Sequence, residues 1–246
     1  MRRTLTVITV AVMAGSILVP VARAQTLDDI IAMNLKAKGG IEKIRATTTV
    51  RMTGHVSAKD DPSAEAKSAT ITMLAKRPNM MRREQTVDGE KMVSAFDGSS
   101  LWMSRGTTPP EEAPGPAAAY ARQDAEFDSV FVDYKQKGTA IQLVGTEKRD
   151  GKDVFHLKVT KKGGPPQDFY LDPATGLEQV VAVTLPGGKP TTITTELADY
   201  REVDGRMVPF VIRQLVNGTV NASTTIDKIE FNVPVDDSLF KMPSEK

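Results

Sequence analysis

Two periods divide the chain. Between Leu27 and Leu35 the apolar residues Leu27, Ile30, Ile31 and Leu35 fall three and four apart with Asn34 on the same stripe, the spacing of one buried helix face. Thr26 offers a capping hydroxyl, and Asp28 and Asp29 occupy the first turn, where the helix dipole favours negative charge. Gly39-Gly40 ends this helix, and residues 41–44 read as one further turn. Beyond it the period becomes two. Val50, Met52, Gly54 and Val56 alternate with Arg51, Thr53, His55 and Ser57, and Ala69, Ile71, Met73 and Ala75 alternate with Thr70, Thr72, Leu74 and Lys76. Turn residues punctuate the pattern at Asp60-Asp61-Pro62-Ser63, Pro78-Asn79, Asp88-Gly89 and Asp97-Gly98. Residues 106–116 hold four prolines and read as a loop, and Ala117 to Tyr134 reads as a second helix. Strand patterns resume from Thr139 to Phe231, with hairpin signals at Asp150-Gly151, Gly187-Gly188, Asp204-Gly205 and Asn217-Gly218. Ala222, Thr224 and Ile226 share one parity while Ile229 and Phe231 share the other, so a bulge near Asp227 is needed to keep all five on one face.

The count is about eleven strands, at most twelve, with two helical segments. Nearly every strand is apolar on one parity and polar on the other, which gives a sheet one greasy and one wet face. Two short helices cannot cover a sheet of that size, and a large twisted sheet curls. The expected fold is mainly β: an unclosed, strongly curved antiparallel half-barrel with a helical lid or plug over an apolar cavity, a site for a hydrophobic ligand. The alternative from pattern alone is a sandwich with an ordinary packed core.

Composition narrows the function classes. The chain has 246 residues with 32 basic and 31 acidic side chains, so no basic stripe speaks for nucleic acid. It has no cysteine, which removes disulfides, thiolate metal sites and Cys nucleophiles. Aromatic residues are 5% of the total, too few for a base- or sugar-stacking platform. Arg2-Arg3, an apolar run over residues 5–19, Pro20 and the small-residue site Ala22-Arg23-Ala24 have the three-part build of a secretory signal, cleaved before Gln25. Residues 1–24 are thus expected to be a signal peptide and 25–246 a single exported domain, a periplasmic monomer.

Two stretches then carry a resemblance. Lys76-Arg77-Pro78-Asn79-Met80-Met81-Arg82 links one strand to the next, and Asp97-Gly98-Ser99-Ser100-Leu101-Trp102 forms a hairpin about a dozen residues later. With the N-terminal helix, the turn at residues 170–176 and the closing Phe240-Lys241-Met242-Pro243, their order resembles the LolA-like outer-membrane lipoprotein-sorting proteins, the LolA/LolB/LppX-type periplasmic lipid carriers. The resemblance implies a bent, unclosed barrel whose helices lid an apolar cavity that shields acyl lipids or lipoproteins on their way to the outer membrane. Membrane-bound donor and acceptor proteins would be its partners, and no cofactor or metal is implied. A sensor of the same fold, which binds lipid or mislocalised lipoprotein and signals through a protein partner, is the alternative. Parity places Val50, Met52, Val56, Ile71, Met73, Phe155, Leu157, Val159, Phe169, Leu171, Val181 and Val183 on the concave face, with Trp102 added from the hairpin motif. The flexible thioethers among them suit a cavity that adapts to variable chains. The family holds its lid with an arginine, for which Arg51, Arg82 and Arg83 are the candidates by position.

Catalytic patterns are weak. His55 and His156 both sit on the polar parity of separate strands and read as solvent-facing. Ser238-Leu239-Phe240-Lys241 fits an S-x-x-K string but lacks its partner motifs, and Gly187-Gly188-Lys189 has no helix after it to form a phosphate loop. Asp60-Asp61 and Asp236-Asp237 read as turn acids. No nucleophile, base and orienter come together, so no enzymatic activity is expected.

Overall fold

A computed structural model describes residues 25–57, 69–114, 125–185 and 189–243. The expected signal peptide, the turn at residues 60–63 and the glycine pair at 187–188 lie outside the described residues. Two helices open the chain, α1 (Leu27–Ala37) and α2 (Ile41–Ala46). Thr26 and Asp29 close a capping box, each satisfying the other's backbone N–H, and Ile30, Ile31 and Asn34 form the buried stripe.

Thirteen antiparallel strands follow: β1 (Thr49–Ser57), β2 (Ala69–Lys76), β3 (Met80–Val87), β4 (Glu90–Phe96), β5 (Leu101–Arg105), β6 (Glu111–Glu112), β7 (Ala140–Arg149), β8 (Lys152–Thr160), β9 (Pro166–Leu171), β10 (Glu178–Leu185), β11 (Thr191–Val203), β12 (Arg206–Val216) and β13 (Thr219–Phe231). They form one sheet in the order β6-β5-β4-β3-β2-β1-β13-β12-β11-β10-β9-β8-β7. Among the described strands the only neighbours distant in sequence are β1 and β13; every other pair is a hairpin or meander step. Because β6 and β7 stay apart, the sheet is an open, curved half-barrel.

The tight hairpins follow their sequence signals. Asp88-Gly89, Asp150-Gly151, Asp204-Gly205 and Asn217-Gly218 all have positive φ at both central residues, the turn whose twist matches the strands it joins. The bulge expected near Asp227 is there: Thr53 pairs with Lys228 and Gly54 with Ile226, so Asp227 is the extra residue. It keeps Ile226, Ile229 and Phe231 on the face shared by Val50 and Met52. Gly54 faces the bulge so closely that a Cβ there would sit 2.2 Å from the Thr225 carbonyl oxygen.

Two expectations are corrected. Of the expected helix 117–134, residues 117–124 lie outside the described set, and 125–138 form a run of turns. Val132 and Gly138 donate to carbonyls three residues back, and Asp133 has a φ of 51°, a backbone no helix interior contains. The loop 106–116 also carries one two-residue strand, β6, where Trp102 and Met103 pair with Glu112 and Glu111.

The concave face is closed at its β7–β10 end. There α1 and the 125–138 segment lay Ile30, Ile31 and Phe131 on Phe155, Leu157, Val159, Phe169 and Leu171. The Phe131 and Phe169 rings meet edge to face, 5.6 Å apart. Asn34 anchors α1 by donating from Nδ2 to the Gly176 carbonyl at 2.8 Å, and Lys38 reaches Glu178 at 2.5 Å.

Candidate ligand-binding groove

Strand register decides which residues share a face, because side chains alternate and paired residues point the same way. Following the pairs across the sheet gives Ile229, Met52, Met73, Arg83, Ser94 and Met103 in one row. The next row on the same face holds Ile226, Gly54, Ile71, Gln85, Met92 and Arg105. On the other side of β13, Ile212 and Gln214 pair with Thr224 and Ala222. α1 does not reach these rows, and they floor an open groove with two lobes. One, of about 410 Å³, is lined by Arg83, Gln85, Met92, Ser94, Met103, Arg105, Thr108, Pro109 and Glu111. The other, of about 230 Å³, is lined by Met52, Ile71, Met73, Ile212, Ala222, Thr224 and Ile226. Arg83 belongs to both.

Against this geometry the thirteen expected contact residues separate. Met52, Ile71 and Met73 line the smaller lobe. Val50 and Val56 share their face; Val50 packs beside Phe210, Ile226 and Ile229. Val181 and Val183 are half-buried on the same face further along the sheet. Phe155, Leu157, Val159, Phe169 and Leu171 are on the concave face too, but they are core: α1 covers them, and Leu157, Val159 and Leu171 are fully buried. Trp102 is on the opposite face. Register pairs it with Ala95, one step out of phase with the Ser94–Met103 row. It is buried there with Val93 and Ala95, and its Nε1 donates to the Phe240 carbonyl at 2.7 Å.

The arginine candidates separate as well. Arg51 and Arg82 both pair with Leu74, which puts them on the convex face, where they cannot hold a lid over the concave one. Arg82 donates to Glu84 and to the Leu239 carbonyl and lies over the Trp102 ring, 5.5 Å from its centre. Burial alone would raise the Glu84 carboxyl, but hydrogen bonds from Lys91 and Arg82 outweigh it and hold the group below its ordinary value. Arg83 faces the groove, at its middle.

The arginine that ties the covering elements to the sheet is Arg77, in the β2–β3 turn. Its guanidinium holds both oxygens of Asp128 at 2.5 and 2.6 Å, donates to the carbonyls of Thr47 at 2.6 Å and Ile44 at 2.8 Å, and lies over the Phe127 ring. One side chain thus joins the end of α2, the 125–138 segment and the sheet, using the bidentate fork that lysine lacks. The Lys-Arg-Pro string was visible in sequence; its partner Asp128 was hidden in a segment read as helix. Beside it, Arg206, buried over the Phe231 ring at 4.2 Å, donates to Thr47 and to the Lys43 carbonyl.

Other polar groups are structural. His156 is not solvent-facing: its side chain is 14% exposed, Nε2 meets Asp168 at 2.8 Å, and the ring stacks on Tyr170. His55 pairs with Asp227 at the bulge. Burial, reinforced by the Glu178 charge, pushes the Tyr200 phenol far above its ordinary range, and the neutral hydroxyl donates to the Glu178 carbonyl at 2.6 Å. Ser238 and Lys241 belong to a single 3₁₀ turn and its end, not to a buried helix.

These features define a class: an open half-barrel of antiparallel strands with a partly covered apolar concavity. That is the LolA-like fold. A LolA superfamily protein from Nitrosomonas europaea superposes with a TM-score of 0.56 at 15% identity, covering 89% of this chain and 98% of its own. A domain assigned as an outer membrane lipoprotein-sorting protein, from Vibrio parahaemolyticus, gives 0.53 at 14% identity, with 81% and 93% covered. A DUF1329 family protein from Desulfovibrio piger gives 0.58 at 12% identity, with 87% and 96% covered. No protein-family model and no curated protein sequence matches the chain.

Proposed function

We propose that this protein is a periplasmic carrier that shields acyl chains in its concave groove, on the route to the outer membrane, and that it performs no chemistry on them. The observation that carries this is the part of the concave face that α1 and the 125–138 segment do not cover, among the described residues. Strands β1, β2, β12 and β13 present Met52, Met73, Ile212 and Ile226 to a cavity, while α1 seals the β7–β10 end with ordinary core. Thioethers at the open end conform to chains of different length and unsaturation. Burying about ten methylenes supplies about 8 kcal/mol, micromolar affinity before the cost of immobilising the chain. Shielding therefore needs no catalytic group. Arg77 and Asp128 hold the cover closed, and delivery requires that tie to loosen. A carrier must also be exported, and residues 1–24 supply a signal sequence for that.

The test is native mass spectrometry of protein purified from a bacterial periplasm, followed by solvent extraction. Co-purified phospholipid or acylated peptide is the expected result. A clean apo mass that stays unchanged on incubation with lipids refutes the carrier.

A further inference from the structure

Four methionines meet in the groove, two in each lobe. Met52 and Met73 pair directly across β1 and β2, and both line the smaller lobe. Met92 pairs with Arg105 and Met103 with Ser94, so Met92 and Met103 are diagonal neighbours on one face of β4 and β5, lining the larger lobe. Diagonal neighbours stand about 7–8 Å apart, within reach of long side chains. The walls around both pairs are mostly apolar. Resting on the carrier reading, we propose that these four thioethers are a modification site: hydrogen peroxide or an organic hydroperoxide oxidises them to sulfoxides in the empty groove, and the modified groove no longer takes an acyl chain.

The reaction needs no other reactant. A sulfur lone pair attacks one peroxide oxygen, the O–O bond breaks as the S–O bond forms, and the second oxygen leaves as water or an alcohol with the transferred proton. Sulfur loses two electrons and the peroxide gains them. Access selects the site. Met103 is 41% exposed, and Met52, Met73 and Met92 are half-buried along an open groove. Met33 and Met81 instead pack against the cores built on Phe131 and Phe96, where little oxidant reaches the sulfur. Met242, 47% exposed, lies two residues beyond Phe240, whose carbonyl meets Trp102 on the convex face. It is accessible but outside the groove. The chemistry then sets the effect. A sulfoxide is a polar hydrogen-bond acceptor, and beside Ile71, Ile226 and Ile229 an acyl chain would strip it of water without offering a donor. A bound chain covers the same sulfurs, so loading protects them and peroxide acts on the empty protein.

The experiment treats the delipidated full chain and the palmitate-saturated chain with hydrogen peroxide. Sulfoxides are located by peptide-mapping mass spectrometry, and palmitate affinity is read by displacement of a fluorescent fatty acid. In the empty protein Met52, Met73, Met92 and Met103 should oxidise faster than Met33 and Met81. Palmitate should slow oxidation at these four positions and leave Met242 unchanged. The oxidised protein should bind palmitate roughly tenfold or more weakly, the scale of an unsatisfied polar group set against the chain. A variant with Met52→Leu, Met73→Leu, Met92→Leu and Met103→Leu should show one affinity before and after treatment, whatever that affinity is. Groove methionines that oxidise no faster than Met33 and Met81 overturn the inference and leave the carrier standing. So does an oxidised protein that binds as before, a peroxide effect that persists in the leucine variant, or palmitate protection that extends equally to Met242. These wild-type measurements decide the question even where the leucine variant does not fold. An untreated protein that binds no palmitate overturns the carrier, and the oxidation map of the empty protein separates that failure from failure of the site.

Discussion

Removing the Arg77–Asp128 tie should both destabilise the fold and open the cover. The two side chains are 25% and 17% exposed, between the surface pairs that contribute under about 1 kcal/mol and the buried ones whose disruption costs about 3–5 kcal/mol. Arg77→Met also removes the charged hydrogen bonds that the carbonyls of Thr47 and Ile44 accept, leaving Ile44 only the bond from the Thr47 N–H. We expect Arg77→Met to cost about 3 kcal/mol and Asp128→Asn about 2 kcal/mol, after discounting for the water that still reaches both groups. For a domain of this size, 3 kcal/mol lowers Tm by roughly 6–12 °C. A double-mutant cycle by urea unfolding should return a coupling of about 1–2 kcal/mol. Hydrogen exchange adds the local readout: amides in residues 125–138 and α2 should exchange faster in either variant than those of β8 and β9. A coupling below about 0.5 kcal/mol, or uniform acceleration across the sheet, would show that Arg77 is only one more surface arginine.

Further outcomes follow from the same geometry. Met73→Asp should weaken binding of a fluorescent fatty acid more than tenfold, whereas Thr70→Asp, exposed on the convex face of the same strand, should change it less than twofold; equal effects would refute the face assignment. Trp102→Phe should cost about 1–2 kcal/mol through the lost bond to the Phe240 carbonyl and leave fatty-acid affinity unchanged, since the ring faces away from the groove. Glu126 is a pH probe. Burial would raise its carboxyl, but hydrogen bonds from Lys137 and Lys161 outweigh that and hold it below the ordinary value of 4.5. Its lowered folded-state pKa contributes stability above the unfolded value, and that contribution fades as pH falls through the folded one. Glu126→Gln should therefore lower Tm at pH 7, with the difference from the parent shrinking below about pH 4.5; a constant difference down to pH 3 would refute the assignment.

Much of this fold was legible because period-two patterning and turn chemistry are local. The Asp-Gly and Asn-Gly pairs mark four hairpins directly, and the parity change between Ile226 and Ile229 requires the bulge that the structure puts at Asp227. Over its described residues, 125–134, the expected helix misled because an apolar 3,4 stripe is also what a turn-rich segment shows when its aromatics reach a core. Phe131 is buried against Phe169, so the apolar positions were real, but long-range ties at Asp128 and the left-handed Asp133 replace the helical ladder. Trp102 misled for another reason. Its neighbours Val93 and Ala95 also break the polar parity of their strands, and the three form an apolar cluster on the convex face. The cover for that patch comes from far along the chain: Lys76 binds the Val235 carbonyl, Arg82 the Leu239 carbonyl and Trp102 the Phe240 carbonyl.

Which part of the concave face remains open is a matter of reach. Helix α1 has 11 residues, about 16 Å at 1.5 Å per residue, while thirteen strands at about 4.8 Å spread over roughly 58 Å. One helix covers only three or four strands, and Asn34 and Lys38 pin this one at β9 and β10 through Gly176 and Glu178. Among the described residues, the strands that α1 and the 125–138 segment do not cover are either filled by large side chains or left as a groove. At β8 and β9 the sequence supplies Phe155 and Phe169, which close the space beneath α1. At β1 and β2 it supplies Met52 and Met73, unbranched side chains that leave the space open, with Arg83 of β3 beside them. The groove is thus specified by the same alternating residues that specify the sheet, and a change from methionine to phenylalanine at positions 52 and 73 should narrow the smaller lobe and weaken acyl-chain binding, which a displacement titration would read.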